Sequence, residues 1–473
     1  MSGFLTRPSR GMVLALTWLV LAAVGCATDN EVVFDGSPDS PDTTTLLAEG
    51  AVTDTTALPL AAEVVTDTSL PSGAPSESEA PEPVTTIPTD DPSSTEEGEI
   101  DLSDRGIEAL TAPLLVSGRL GSYVTVLGPG DTRTLLGAAD NTFFSQPTWS
   151  PDGQTVAFSR ATEEGGSVVV VPSSGGTGET YTAPFVVFYI QWSPDGRYLA
   201  MLGSGGVGRT SLAVLDLDTG LVEVPDYARS YFFQWAADSA QVLGNLDGAQ
   251  LQVLDIPSGE IDQIYAQETV RSLYQAPDRV PGSDTAVYIR PVPNPEQEDT
   301  EDELVLHRLD TGEIRVIDTG VGFFDFGVSP DGTRLAYTLR FLNDPTRLRI
   351  VDLESGEVTE PDTGVTLAWQ WSPDSEKILL IGIGEENNFT LSVYEDGATK
   401  SYPGFIPTQE MLAAYLPFWN QYTRSHTLWA PDSSAFAYPA FSQGDDYIFL
   451  QILEDDFPIL LGEGGMAVFS PVG

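Results

Sequence analysis

Trp192-Ser193-Pro194-Asp195-Gly196-Arg197-Tyr198-Leu199-Ala200 is the stretch whose reading decides the fold. Pro194 presets φ for the second position of a tight turn, Asp195 can accept from nearby backbone N–H groups, and Gly196 supplies a positive φ. Phe185–Ile190 before it is apolar and aromatic, and Tyr198–Leu202 after it is apolar again. The stretch reads as two strands joined by a short turn.

It recurs. Copies stand at Trp149–Gly153, Val328–Gly332 and Trp371–Ser375, with weaker ones at Trp235–Ser239, Gln275–Asp278 and Trp429–Ser433 and a fragment at Phe469–Gly473. Successive starts lie 43, 43, 40, 53, 43, 58 and 40 residues apart. A period of about 40–45 with several short strands per unit marks propeller blades. A second half-motif keeps a steady offset: Leu212–Gly220, Leu251–Gly259, Leu304–Gly312 and Leu348–Gly356 are alternating strands that run into a Gly turn. Each unit should hold four strands, A to D from the inside outward.

The expected fold is all-β, a single propeller of four-stranded blades over residues 113–473. Residues 113–136 supply three strands without a leading motif: Leu114–Ser117, Tyr123–Leu127 and Thr132–Leu136. The C-terminal Gly465–Ser470 is expected to be their strand A, so that N- and C-terminal strands close the ring and leave no free sheet edge. With seven internal units this makes eight blades; seven is the alternative, because the unit at Gln275 is degenerate.

The repeats resemble TolB-type WD40-like propeller repeats, in which Trp-Ser-Pro-Asp-Gly joins the first two strands. The resemblance implies an exported bacterial protein with a binding role. The α/β domain that precedes the propeller in that family has no counterpart here; an acidic tether stands in its place.

Residues 1–26 read as a targeting segment. Arg7 and Arg10 precede the apolar run Val13–Val24, too short for a comfortable membrane span. Ala23-Val24-Gly25-Cys26 resembles a bacterial lipobox with Ala where Leu is usual. Cys26 is the lone cysteine of the chain, which excludes an intrachain disulfide and stands where lipid attachment needs it. Residues 27–112 hold 20 acidic residues against Arg105 alone and are rich in Pro, Ser and Thr, a disordered tether. The expected location is extracytoplasmic, in the periplasm or on the cell surface, anchored to the membrane through the lipid alone.

The whole chain carries 21 Lys+Arg against 70 Asp+Glu, a formal charge of −49. That argues against nucleic acid or an anionic lipid surface as partner and favours cationic ones. Two histidines, His307 and His426, offer little for His-based catalysis. No Gly-x-Ser-x-Gly elbow or phosphate-binding Gly loop occurs. The repeat aspartates read as turn residues and the repeat tryptophans as wedges between blades. Gln191, Gln234 and Gln370 recur just before a repeat Trp, and the expectation is that they satisfy backbone of neighbouring blades.

Two insertions break the period. Pro291–Glu303 falls between strands B and C of its unit, and Pro403–Arg424 between strand D of one unit and strand A of the next. B–C and D–A connections share a face, so both should project there. Glu296, Glu298, Asp299, Glu301, Asp302 and Glu303 would lie beside Tyr415, Phe418, Trp419 and Tyr422, a surface for a cationic protein or peptide with aromatic anchors. Acidic B–C loops on the same face make calcium a candidate ligand. Thr408 is the expected cap of a short helix over 407–416. The reading is a non-catalytic binding propeller; a hydrolase or lyase with a central-channel site is the alternative.

Overall fold

A computed structural model describes residues 106–473, leaving out 130, 138–141, 207, 267–274, 293–300, 341–346 and 385–387. The signal segment with Cys26, the tether to residue 105, and Glu296, Glu298 and Asp299 lie outside the described residues.

The period-2 strands assemble into eight antiparallel sheets arranged in a ring. Seven sheets have four strands. In the eighth, Ala435–Ser442, Asp445–Ile452 and Ile459–Glu463 form three strands, and a single bridge between Trp429 and Phe436 replaces a full inner strand. We number the blades 1 to 8 from the one shared by both chain ends. Blade 1 closes as expected: Met466–Phe469 pairs antiparallel with Leu114–Ser117, Leu115 opposite Val468 and Val116 opposite Ala467. The Trp149 indole donates to the Val468 carbonyl at 3.0 Å and ties blade 2 to this seam. Ile107, Leu110 and Ala112, which the sequence reading left in the tether, pack on Ala430, Leu461 and Phe469.

The repeat turns share one bonding scheme. The hydroxyls of Ser150, Ser193, Ser329 and Ser372 donate to the aspartate two residues on, at 2.5–2.6 Å. Each hydroxyl also accepts the N–H of the residue five on, closing the turn at 2.9–3.0 Å. The Ser150 hydroxyl holds the Asp152 carboxyl below its usual range, and these aspartates are turn residues. Where Ser replaces the turn glycine, φ stays positive: 62° at Ser239, 64° at Ser375 and 59° at Ser433. The strain of a left-handed serine is offset by a bond that glycine cannot make. Those three hydroxyls accept the N–H of Asp195, Asp331 and Asp374 on the preceding blade, at 2.9–3.1 Å.

Blade 5 corrects the motif alignment. Its inner strand is Asp278–Arg279, and its turn is Val280–Ser283, with the Val280 N–H bonded to the Thr285 carbonyl and Ser283 N–H to the Val280 carbonyl. These are the bonds that Ser193 and Gly196 make in blade 3. Arg279 therefore holds the place of the repeat tryptophan and Asp278 that of the glutamine. Pro277-Asp278 imitates the Pro-Asp of the motif, which drew the sequence alignment four residues early.

The first insertion is also shorter than expected. Strands Thr285–Val292 and Glu301–Arg308 pair as far as Val292 opposite Glu301. Glu301, Asp302 and Glu303 are thus strand residues, with Asp302 buried and Glu303 2.7 Å from Arg290.

Candidate functional site

The innermost strands leave their inner edges unpaired with any further strand, so a propeller must do something with its channel. Here the second insertion enters it. Phe405 and Pro407 bridge to Phe389 and Ala440 on the expected face. The Met411 N–H donates to the Thr408 hydroxyl at 3.2 Å, the cap read from the sequence. Helical turns over Met411–Tyr415, Leu416–Phe418 and Trp419–Tyr422 then carry the chain inward.

Side-chain amides replace the missing strand. Gln421 accepts the Phe233 N–H at 3.0 Å and donates to the Phe233 carbonyl at 2.9 Å and to the Tyr189 hydroxyl at 3.1 Å. Gln370 reciprocates, donating to the Thr423 carbonyl at 3.1 Å and accepting the Leu428 N–H at 2.9 Å. Gln234 accepts from Arg424 at 2.6 Å. Gln191 meets the Tyr189 hydroxyl at 3.4 Å. Gln234 thus holds this plug, while Gln370 holds both the plug, at Thr423, and the backbone of neighbouring blade 8, at Leu428, the latter as the sequence led one to expect.

Tyr415, Trp419 and Tyr422 are buried, and Phe418 is half-buried beside Phe232, their ring centroids 6.3 Å apart. Trp419 lies against Trp369 at 4.2 Å and Tyr422 against Tyr189 at 5.2 Å. The expectation that these rings stand beside the acidic insertion on an open face is corrected: apolar rings minimise exposed area by filling the channel. On that face, Asp445 lies 2.8 Å and Asp446 3.7 Å from Arg119. Among the described residues, no group of three or more His, Cys, Asp or Glu is placed to hold a metal.

Above the plug, on the face of the A–B turns, a funnel of about 550 Å³ remains. Each blade contributes one residue at the same repeat position. Blades 1 to 4 give Phe469, Trp149, Trp192 and Trp235; blades 5 to 8 give Arg279, Val328, Trp371 and Trp429. The turn prolines form the rim, and Trp419–Thr427 the floor. The sequence put the expected binding surface on the opposite face, whereas the mouth of the channel on this one is where the wedges meet.

The indoles are not equivalent. Trp149, Trp371 and Trp429 donate to the inner strand of the preceding blade, at 3.0–3.1 Å. The Nε1 atoms of Trp192 and Trp235 have no partner, nor do Nε and Nη2 of Arg279, whose Nη1 lies 3.5 Å from Asp284. Burial lowers the Arg279 pKa. At the floor, Arg424 bonds the Pro277 carbonyl at 2.5 Å and faces Asp278 at 3.7 Å. Asp278 is otherwise spent on the Val328 N–H at 2.9 Å.

One pair has the look of a nucleophile and base. Ser425 Oγ sits 2.7 Å from His426 Nδ1. Burial holds that imidazole neutral, its pKa lowered to about 3, and Nε2 has no partner to orient it. A base this weak adds little to catalysis near neutral pH.

Behind the plug, Glu410 shares a small recess with Gln146, Tyr415, Tyr422 and His426. Burial, with a smaller push from Asp446, raises its carboxyl pKa from 4.5 to about 7. The folded state therefore binds this proton more tightly than the unfolded chain does. Stability should be full below about pH 4.5 and fall as pH rises to about 7. Glu410→Gln is expected to flatten that part of the profile. Because the residue still touches solvent, the gain at pH 8 should be on the order of 2 kcal/mol, read by urea unfolding across pH. An unchanged slope would mean that Glu410 is not the group responsible.

No protein-family model and no curated protein matches the chain. Solved structures that resemble it include a eukaryotic initiation factor, at 13% identity and a TM-score of 0.50, covering 76% of this chain and 98% of that one. Oligogalacturonate lyase in complex with manganese gives 15% and 0.47, over 73% and 98%. TolB from Acinetobacter baumannii gives 12% and 0.38, over 69% and 80%. At these identities the likeness is one of fold.

Proposed function

We propose that the protein is a non-catalytic binding propeller, held outside the cytoplasm by a lipid on Cys26, whose funnel receives part of a protein or peptide in the cell envelope. The observation that carries this is the ring of eight equivalent positions, five of them tryptophan, over a floor made by the chain itself. Its volume falls within the roughly 300–1,000 Å³ of ordinary ligand sites, and its walls are aromatic with few polar groups. The lipid reading rests on the sequence at Ala23–Cys26.

To test binding, the full-length protein is incubated with a random peptide library and retained peptides are identified by mass spectrometry. Peptides should be retained, returned uncut, and lost in Val328→Trp, which fills the funnel from blade 6. Retention unchanged in that variant would move the site elsewhere; cleaved peptides would favour the channel enzyme, with Ser425 as the first residue to replace. The anchor has its own expected outcome: Cys26→Ala should shift the protein from the membrane to the soluble fraction, since stable attachment needs the acyl chains. A variant that stays with membranes would overturn it.

A further inference from the structure

We propose that the face opposite the funnel, where the B–C and D–A connections lie, docks a basic amphipathic helix across blades 6, 7 and 8. This surface is independent of the funnel. Phe143, Val186 and Val365 stand six residues before Trp149, Trp192 and Trp371, and Phe323 stands five before Val328. The difference is a bulge: the inner strands of blades 2, 3 and 7 each take one extra residue against strand B, and that of blade 6 takes none. The four side chains therefore stand at one height, at the entry to their inner strands. Blade 8 keeps that height on strand B. Phe441 lies five residues beyond Phe436, the partner of Trp429, as Arg340, opposite Phe323, lies five beyond Leu335, the partner of Val328. The Phe441 N–H donates to the Ile406 carbonyl at 2.7 Å, which brings a sixth apolar residue alongside. All six are 36–56% exposed. A single exposed apolar side chain is ordinary surface; one repeat position left apolar and open on five blades marks a contact.

Spacing and charge select the occupant. Packed sheets lie about 10 Å apart, and seven residues of α-helix rise about 10.5 Å. A helix with an apolar residue in every heptad can therefore set one on Phe323, the next on Val365 and the next on Phe441 and Ile406. The exposed carboxylates of Asp362 and Glu463 border blades 6 to 8, and that of Glu164 borders blade 2. Arg119, Arg340 and Arg347 are already held by Asp445, Asp325 and Glu360, which leaves Arg160 among the described residues of this arc. Lys or Arg flanking the apolar stripe of the helix would meet these carboxylates. A second copy would bring the same carboxylates against themselves, and an anionic bilayer would be repelled by a chain of net charge −49.

The test titrates the full-length protein into a dye-labelled synthetic peptide of about 18 residues, with Leu along one helical face and Lys on the others, and follows fluorescence anisotropy. Binding should saturate at one peptide per protein and weaken as salt is raised. Phe323→Ser and Phe441→Ser, on different blades, should each weaken it at least about tenfold. Leu221→Ser, at an exposed residue of an outer strand, should leave it unchanged. Circular dichroism melting checks the fold, and should one serine variant fail, the other decides. A peptide of the same composition with its Leu scattered round the helix should bind at least about tenfold more weakly. Equal binding of the two peptides, or binding untouched by both serine variants, would overturn the site and leave only attraction between opposite charges. Sedimentation covers the other occupants, with Cys26→Ala present so that no acyl chain contributes. A dimer that Phe441→Ser dissociates would make this face a self-contact, and phosphatidylcholine vesicles that carry down the parent but not Phe441→Ser would make it a lipid contact. Either result overturns the proposal, and neither bears on the funnel, which Val328→Trp tests.

Discussion

Deleting residues 464–473 should unfold the propeller or drive it to aggregate. Those residues supply the inner strand of blade 1, and Met466, Ala467, Val468 and Phe469 are all buried. Burying a side chain the size of Met, Val or Phe stabilises by about 1.5–3 kcal/mol. Three of them together are comparable to the whole margin of a folded protein, about 5–15 kcal/mol. The deletion also removes the acceptor of the Trp149 indole and the bond from the Ser470 N–H to the Pro113 carbonyl. It exposes the edge of Leu114–Ser117, a template for pairing with other chains. Phe469→Ala is the milder version, expected to cost about 3–5 kcal/mol. Both are read by urea unfolding and by size-exclusion chromatography. A truncated chain that melts like its parent would mean that the seam carries little of the ring's stability.

Replacing Gln421 should have the second-largest effect. Its amide occupies both backbone groups of Phe233 and the Tyr189 hydroxyl, all buried. Gln421→Ala leaves a buried N–H and a buried C=O without partners, at about 1–3 kcal/mol each, and leaves space behind. A total of about 3–5 kcal/mol is expected. Gln421→Glu should be worse near neutral pH, because a buried carboxylate repels the Phe233 carbonyl that the amide had satisfied. Gln409→Ala on the exposed start of the same insertion is the control and should stay within about 0.5 kcal/mol. If Gln421→Ala behaves like that control, the plug is not held by the inner strands. The funnel would then have lost its floor, so peptide retention measured on Gln421→Ala separates a fixed site from one that depends on the plug.

The two effects differ in what the sequence revealed of them. The closure was legible at Leu114–Ser117 and Met466–Phe469, because a blade missing one strand at each chain end leaves only one way to complete the ring. The plug was half legible. Thr408 and the helical stretch after it were readable from local capping chemistry, and the recurring glutamines read as partners of neighbouring-blade backbone, which Gln370 is at Leu428; their hold on the plug was not readable. That Gln421 would meet Phe233, 188 residues earlier, was not.

The sequence alone determined the strand period and most of the turns, and it favoured eight blades over seven. Ser-Pro-Asp-Gly closes on itself through bonds within five residues, and strand alternation is a period-2 property, so both are written locally. The tertiary structure decided where a site could be. Aromatic residues in a long insertion read equally well as a sticky rim or as filling for a channel. Only the unpaired inner edges of the innermost strands, brought into one ring, make filling the lower-energy outcome. Likewise Arg279 holds the ring position of a repeat tryptophan, which no neighbour in the chain announces. The ring brings it into one funnel lining with Trp192 and Trp235.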